Sequence, residues 1–198
     1  DRREFVKDSV VGAAIAAAGL DFSKVDTQAK EAANAQGASG EQLRVAVVGV
    51  NGRGMSHVGG FAGKNNCVVT TICDCDEAVI GNAMKTIEKV QGKAPKFEKD
   101  FRKLLDDKSI DVISIATPNH WHSLMAIWAL QAGKDVYVEK PVSHNVSEGR
   151  RVVEAARKYN RVCQSGTQSR SNPGLRQSIE YAHSGKLGEL MMTRGHCY

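Results

Sequence analysis

A cluster of glycines between Gly49 and Gly54, in the sequence G-V-N-G-R-G, is the stretch best suited to hold a charged ligand. Glycines in a strand-to-helix turn let the backbone approach a pyrophosphate, whose charge is met by unpaired N–H groups and the helix dipole. Gly49 and Gly54 fit the pattern G-x-G-x-x-G, whereas Asn51 replaces the second glycine and Gly52 follows it. Asn tolerates positive φ better than other non-glycine residues, so the turn is retained. The cluster predicts a dinucleotide site, and a glycine-rich turn that binds nothing is the alternative.

A carboxylate follows this turn at a suitable spacing. Asp74 lies twenty residues after Gly54, at the end of the β-branched run Val68–Cys73. A dinucleotide-binding fold places there the carboxylate that accepts hydrogen bonds from the adenosine ribose hydroxyls, and its charge repels a 2'-phosphate. Asp74 therefore favours NAD over NADP; its alternative role is to cap the next helix, which Asp76 could do equally well. Arg53, inside the glycine cluster, either reaches the pyrophosphate or is solvated at the helix start.

Strands and helices alternate along the chain, and these elements must position the polar residues. The predicted strands are Arg44–Val50, Val68–Cys73, Lys96–Glu98, Asp111–Ala116, Asp135–Glu139 and Arg161–Ser165. The predicted helices are Met55–Ala62, Asp76–Val90, Phe101–Leu105, a helix ending at Ala132, Ser147–Tyr159, which Ser147 caps, and Asn172–Ser184. This order predicts an α/β fold with a doubly wound parallel sheet, a Rossmann domain over residues 43–185.

Ligands of such a sheet lie outside the carboxyl ends of its strands. The polar residues that follow the predicted strands are Asn51–Gly54, Asp74, Thr117–His122, Glu139, Lys140, Thr167 and Gln168. We therefore expect these residues, Gln168 included, to line one crevice and to supply the contacts to the dinucleotide.

These motifs together resemble the Gfo/Idh/MocA family, named for glucose-fructose oxidoreductase and inositol dehydrogenase. The resemblance rests on G-x-N-G-R-G, Asp74, TPNHWH, AGKDVYVEKP and GTQSRSNP, and it covers about Arg44 to the C-terminus. Its most specific part is AGK-x-V-x-x-EKP. In this family the lysine of EKP lies beside the nicotinamide and the substrate, a cis peptide bond commonly precedes the proline, and the TPN loop and its histidine contact the cofactor.

The resemblance implies hydride transfer between NAD(P) and a sugar, polyol or related carbinol. Carried over to this chain, the family's site residues are Lys140, Pro141, Thr117, Pro118, Asn119 and His122. Because His120 and His122 stand at i and i+2 of a predicted helix, they cannot share a face, and only His122 is expected in the site.

The chemistry explains why a lysine is required. Oxidation of a secondary alcohol needs a base for the hydroxyl proton and a cation that stabilises the developing alkoxide while the nicotinamide accepts hydride. Lys140 can supply the cation, and Glu139 would pair with it or touch the nicotinamide ribose. A surface ion pair at a strand end is the alternative interpretation of Glu139 and Lys140.

Residues 1–42 and 186–198 are both expected to lie outside the Rossmann domain. Arg2 and Arg3, the apolar run Val10–Leu20 and the A-x-A pattern at Ala33–Ala35 resemble a twin-arginine signal over residues 1–35, with a linker at 36–42. They predict export to the periplasm; an N-terminal amphipathic helix, and hence a cytoplasmic protein, is the alternative. Residues 186–198 are predicted to begin a second domain, with a strand at Leu187–Thr193. The resemblance places the catalytic acid/base, the substrate pocket and the contacts of a homo-oligomer in that domain, beyond these residues.

Composition excludes several classes of function. The 27 basic and 22 acidic side chains give a net charge of +5 without a dense basic run, so a nucleic-acid partner is not expected. The chain has no segment long enough to span a bilayer, no metal-binding motif, and five cysteines without a C-x-x-C pair. A sugar oxidoreductase, an NAD-using glycoside hydrolase of the same superfamily, and a non-catalytic nucleotide-binding sensor remain as hypotheses.

Overall fold

A computed structural model describes residues 42–196. The predicted signal peptide and nearly all of the predicted linker lie outside the described residues. The strands are β1 (Leu43–Val48), β2 (Cys67–Cys73), β3 (Lys96–Glu98), β4 (Val112–Ile115), β5 (Asp135–Glu139) and β6 (Cys163–Gly166). The helices are α1 (Arg53–Phe61), α2 (Gly81–Gln91), α3 (Phe101–Asp106), α4 (Asn119–Gln131), α5 (Val146–Lys158) and α6 (Pro173–His183), and a 3-10 turn covers Gln168–Ser171.

The six strands form one sheet in the order β3-β2-β1-β4-β5-β6. The pairs β1–β2, β1–β4, β2–β3 and β4–β5 are all parallel. The chain runs outward from β1 to β3 and then crosses to β4 on the other side of β1. This reversal of direction confirms the doubly wound α/β fold and brings the carboxyl ends of β1, β2, β4 and β5 to one edge of the sheet.

The core lies on both faces of the sheet because the strand side chains alternate. In β1, Val45 and Val47 pack on one face with residues of α1 and α2, while Ala46 and Val48 pack on the other with residues of α3, α4 and α5. All four side chains are at most 2% exposed. Burial on both faces of the sheet is the reason that β1 is apolar at nearly every position.

Two compact units are present, with the division between Ser165 and Gly166. The first unit contains β1 to β5, helices α1 to α5 and nearly all of β6. The second contains the 3-10 turn and α6. The geometry described below belongs to the first unit.

Several predicted bounds shift by one or two residues, and three predicted features differ further from the structure. Helix α2 begins at Gly81 rather than at Asp76, because the Asp74 carboxylate accepts from the Asp76 amide at 3.1 Å and the Asp76 carboxylate accepts from the Ala78 amide at 2.9 Å. Such local bonds favour turns over helix. Asn145 rather than Ser147 caps α5, accepting from the Glu148 amide at 2.9 Å. Residues 187–193 form no strand within the described part of the second unit.

Candidate cofactor and active site

Two glycines shape the turn between β1 and α1. Gly49 has a positive φ of 81°, and a Cβ added there would lie 2.7 Å from the Ala116 carbonyl oxygen at the end of β4. A Cβ on Gly54 would overlap the Gly49 carbonyl oxygen. Only glycine permits both the left-handed backbone and this close contact between the helix and the turn. These close contacts therefore explain why glycine is required at both positions of the turn.

The outer side of the same turn is open. A Cβ on Gly52 would meet nothing within 4 Å, and Asn51, Gly52 and Arg53 are exposed. Gly52 stands at the N-cap of α1, where no side chain caps the helix and no acidic residue lies in the first turn. The N-terminal amide groups of a helix then favour an anion. These residues fit a dinucleotide whose pyrophosphate lies against the turn.

Asp74 is bonded to the glycine turn. Its Oδ2 accepts from the Val50 amide at 2.9 Å, and the Gly49 amide donates to the Cys73 carbonyl oxygen at 2.9 Å. Ile80, not Asp74 or Asp76, occupies the N-cap of α2, so the capping alternative is wrong for both carboxylates. Asp74 is half-buried beside the turn, as expected of a residue that binds the ribose of the same dinucleotide.

Glu139, at the end of β5, is a buried carboxylate with several hydrogen-bond donors. The residue is 4% exposed. Its Oε1 accepts from Arg53 Nε at 2.8 Å and lies 3.0 Å from His57 Nε2, while its Oε2 accepts from the Lys140 amide at 3.0 Å. Burial alone would raise the pKa of Glu139, but the bonds from Arg53, His57 and the Lys140 amide outweigh it and lower that pKa to about 2. Glu139 is therefore ionised at neutral pH and directed inward, bonded to Arg53 rather than to the Lys140 ammonium group.

His57 and Ser114 complete this network, and the sequence analysis missed both. His57 Nδ1 lies 2.8 Å from Ser114 Oγ, and the two residues are 5% and 0% exposed. Burial lowers the pKa of His57, and the nearby Glu139 offsets this only in part, so the ring is neutral at pH 7. A serine, a histidine and a carboxylate in a row resemble a hydrolase triad, but Ser114 is fully buried in β4 and no substrate can reach it. Polar residues on the buried faces of α1 and β4 are the sequence feature that could have revealed this pair.

His122 joins the two loops predicted to contact the cofactor. Its Nδ1 lies 2.7 Å from the Pro141 carbonyl oxygen and its Nε2 lies 2.8 Å from the Thr117 carbonyl oxygen. The residue is 1% exposed. Because both ring nitrogens face these carbonyl groups, His122 connects the TPN loop (residues 117–119) to the EKP loop (residues 139–141) rather than presenting a free nitrogen to a ligand.

The remaining predicted residues stand at the same edge of the sheet, with two exceptions. Lys140 is exposed, and its peptide bond to Pro141 is cis. Pro118 and Asn119 are exposed at the start of α4, where Pro118 is the N-cap and no side chain caps the helix. Thr167 and Gln168 lie in the second unit, so the geometry of the first unit does not include them.

Catalysis by a cysteine thiol and binding of a metal ion find little support in the described residues. Burial raises the pKa of the Cys73 thiol to about 12, with a smaller contribution from Asp74, and burial raises the pKa of Cys163 to about 12. Neither thiol is an activated nucleophile. Residues 42–196 contain no group of three or more His, Cys, Asp or Glu side chains arranged for a metal ion. Among the described helices, none has the length and apolar character needed to cross a bilayer.

Comparison with known proteins agrees with this geometry. Residues 43–167 match the oxidoreductase family with an NAD-binding Rossmann fold, the Gfo/Idh/MocA family. The chain belongs to this family. The match begins at β1 and ends just after β6, so it includes the glycine turn, Asp74 and the EKP loop. NAD is accordingly the cofactor of this domain, and its predicted assignment is confirmed.

Individual relatives are sugar-active or polyol-active proteins. An α-N-acetylgalactosaminidase of Shewanella oneidensis is 30% identical over 155 residues, which are 76% of this chain and 34% of that protein. The WlbA dehydrogenase of Bordetella pertussis, solved with NADH and UDP-GlcNAcA, is 26% identical with a TM-score of 0.61, covering 74% of this chain and 43% of that one. The myo-inositol 2-dehydrogenase of Lactobacillus plantarum is 24% identical with a TM-score of 0.64 over 75% of this chain and 43% of that one, and shows the shared fold. The chain spans between 33% and 44% of the length of the curated relatives compared with it.

Proposed function

We propose that the protein transfers a hydride between its NAD and a carbinol carbon of a sugar or polyol. The observation that carries the proposal is the 2.8 Å bond between Arg53, the first residue of α1 inside the glycine cluster, and Glu139, the neighbour of Lys140. This bond links the turn that suits a pyrophosphate to the loop that holds an exposed ammonium group. The dinucleotide, when bound, accepts the hydride at its nicotinamide.

The reaction needs two further groups besides NAD. As the carbinol C–H bond breaks, the electron pair leaves with hydrogen, the hydroxyl proton goes to a base, and a carbonyl forms. Lys140 supplies the positive charge that stabilises the developing alkoxide. Glu139 is not the base, because it is buried, accepts hydrogen bonds from Arg53 and His57, and has a pKa of about 2. We propose that the base belongs to the part of the full-length protein that follows these residues.

A second candidate function is suggested by the relative from Shewanella oneidensis. That protein is named as an α-N-acetylgalactosaminidase. A glycosidase that uses NAD would oxidise its sugar transiently and return the hydride before release. Lys140 would serve the same carbinol in either reaction. The two functions differ in their products, because only the oxidoreductase accumulates NADH.

One experiment separates these functions. The full-length protein is incubated with NAD and a panel of hexoses, polyols and nucleotide sugars, and with p-nitrophenyl α-N-acetylgalactosaminide. A rise in absorbance at the NADH wavelength supports the oxidoreductase, and nitrophenol release without NADH supports the glycosidase. If neither product forms and the Lys140→Met variant keeps the protein's cellular function, the chain is a nucleotide-binding sensor and the proposal is wrong.

Export and assembly are further proposals. We propose that the full-length protein follows the twin-arginine route and keeps a tightly held NAD, because nicotinamide cofactors are not normally supplied outside the cytoplasm. Acid denaturation of purified protein should then release about one NAD per chain into the supernatant, as expected for a cofactor that does not exchange during purification. A homo-oligomeric full-length protein stays a prediction, which its mass in solution would test.

A further inference from the structure

The neutral His57 ring has a single hydrogen-bonding arrangement that satisfies both Glu139 and Ser114. Glu139 Oε1 can only accept, so His57 Nε2 must carry the proton and donate. His57 Nδ1 is then the acceptor, and Ser114 must donate its hydroxyl proton to it. The Tyr137 ring meets the imidazole edge to face, with ring centres 5.2 Å apart. The imidazole is thereby fixed in one tautomer and one orientation.

Burial is the main reason that the His57 ring stays neutral, because it lowers the pKa of the imidazole. Besides burial, the Arg53 guanidinium opposes protonation of the ring, whereas Glu139 favours it and offsets the shift in part. The Glu139 charge is meanwhile shared with Arg53, which donates at 2.8 Å. His57 thus acts as a neutral donor to a buried anion.

The same anion determines the local path of the EKP loop. Glu139 Oε2 accepts from the Lys140 amide at 3.0 Å, so the side chain folds back onto the next peptide group. With Oε1 held by His57 and Arg53, the carboxylate cannot rotate without breaking these bonds. The orientation of the peptide between Glu139 and Lys140, and with it the direction in which the Lys140 side chain leaves the backbone, is fixed from within the fold.

We propose that His57 is a positioning residue for Lys140, which it orients through the Glu139 carboxylate while Ser114 holds it in the Nε2–H tautomer. This inference rests on the proposed function for its catalytic consequence. Its structural content, a chain of bonds from Ser114 through His57 and Glu139 to the Lys140 amide, is independent of any activity. An experiment can therefore contradict the chain of bonds or the proposed function without contradicting the other.

The structural content is tested by amide hydrogen exchange and by NMR of the protein without substrate. His57→Leu removes the donor, whereas His57→Gln retains an amide N–H that can reach Glu139. The Lys140 amide should exchange about tenfold faster or more in the leucine variant and recover most of its protection in the glutamine variant. The Val50 amide, bonded to Asp74 in the same site, is the internal control and should not change. An unchanged Lys140 amide in His57→Leu overturns the proposal.

A second measurement keeps the inference falsifiable if the leucine variant fails to fold. Long-range proton–nitrogen correlations should show the wild-type His57 ring neutral with the proton on Nε2 at pH 7. In Glu139→Gln the glutamine can donate to Nε2, so the ring should change to the Nδ1–H tautomer and donate to Ser114. A charged His57 ring, or the Nδ1–H tautomer in the wild type, contradicts the proposal.

The catalytic consequence is measured in the active full-length protein. His57→Leu should lower kcat about tenfold or more while the dissociation constant of NADH changes by less than about threefold, because the glycine turn and Asp74 are intact. His57→Gln should recover most of the rate, and His183→Gln, at an exposed position of α6, should change neither value. A loss of NADH affinity equal to the loss of rate would mean that His57 only supports the fold. An inactive wild type with the expected exchange pattern would contradict the proposed function alone.

Discussion

The Glu139→Gln substitution tests the buried anion on which the candidate site depends. Glu139 has a pKa of about 2 in the folded protein against an ordinary value of 4.5, so ionisation favours the folded state. A group with a lowered folded pKa stabilises the protein above its unfolded pKa, and this contribution is lost as the pH falls towards the folded value. The two pKa values correspond to about 3 kcal/mol in total, of which roughly 1.4 kcal/mol is lost between neutral pH and about pH 3.5.

The measurement is the free energy of unfolding in urea at both pH values for the wild type and for Glu139→Gln. The wild type should be more stable than the variant at pH 7, and this difference should shrink by roughly 1.4 kcal/mol at about pH 3.5. Glu154→Gln is the matched control, because it removes an exposed carboxylate that pairs with Arg151 at 3.2 Å on the surface of α5. The free energy of unfolding of Glu154→Gln should equal that of the wild type at both pH values. If the difference between wild type and Glu139→Gln is independent of pH, Glu139 does not titrate as the geometry requires.

Three further substitutions test the turn, the ribose site and the lysine. Gly54→Ala should lower the free energy of unfolding by about 3 kcal/mol or more, because the added methyl group overlaps the Gly49 carbonyl oxygen. Gly59→Ala is the control in the same helix. Its methyl group contacts no other atom within 4 Å, so this substitution should raise the free energy of unfolding by roughly 0.5–1 kcal/mol. Equal urea midpoints would contradict this. Asp74→Asn, which keeps an acceptor for the Val50 amide, should reduce the preference for NADH over NADPH about tenfold or more in fluorescence titrations, and an unchanged preference would exclude Asp74 from the ribose site. Lys140→Met should lower the turnover of the full-length protein about 100-fold or more with NADH affinity within about threefold, and full activity would remove Lys140 from the mechanism.

Local patterns predicted the elements whose causes are local. The bounds of β3 and β5 agree with the structure, because each strand is bordered by residues that end it in the sequence itself. The glycine turn was predictable for a similar reason, since Gly49 and Gly54 are required by contacts within a short segment and its neighbouring strand. Helix α2 was predicted too long because its apolar spacing extends back towards Asp76, where side-chain bonds to the backbone prevent the helix from starting.

The network around Glu139 could not be predicted in this way. His57 and Glu139 are 82 positions apart, and His57 and Ser114 are 57 apart, so their contact depends on the crossover that places β4 and β5 beside β1. The TPN motif makes the two histidines that follow it, His120 and His122, the histidine candidates for the site. His57 has no motif of its own, and only its position on the buried face of α1 distinguishes it.

Contact with a pyrophosphate and solvation at the helix start, the two predicted roles of Arg53, are compatible in the structure. Its bond to Glu139 uses Nε, and its side chain is 48% exposed at the start of α1. A guanidinium group has five N–H donors in a planar fork, so the terminal nitrogens can face a pyrophosphate while Nε remains on the carboxylate. An anion bound at the turn would then share the Arg53 guanidinium with the Glu139 carboxylate. Because one planar group would hold both anions, the Arg53 side chain would set the position of the cofactor and that of the EKP loop together.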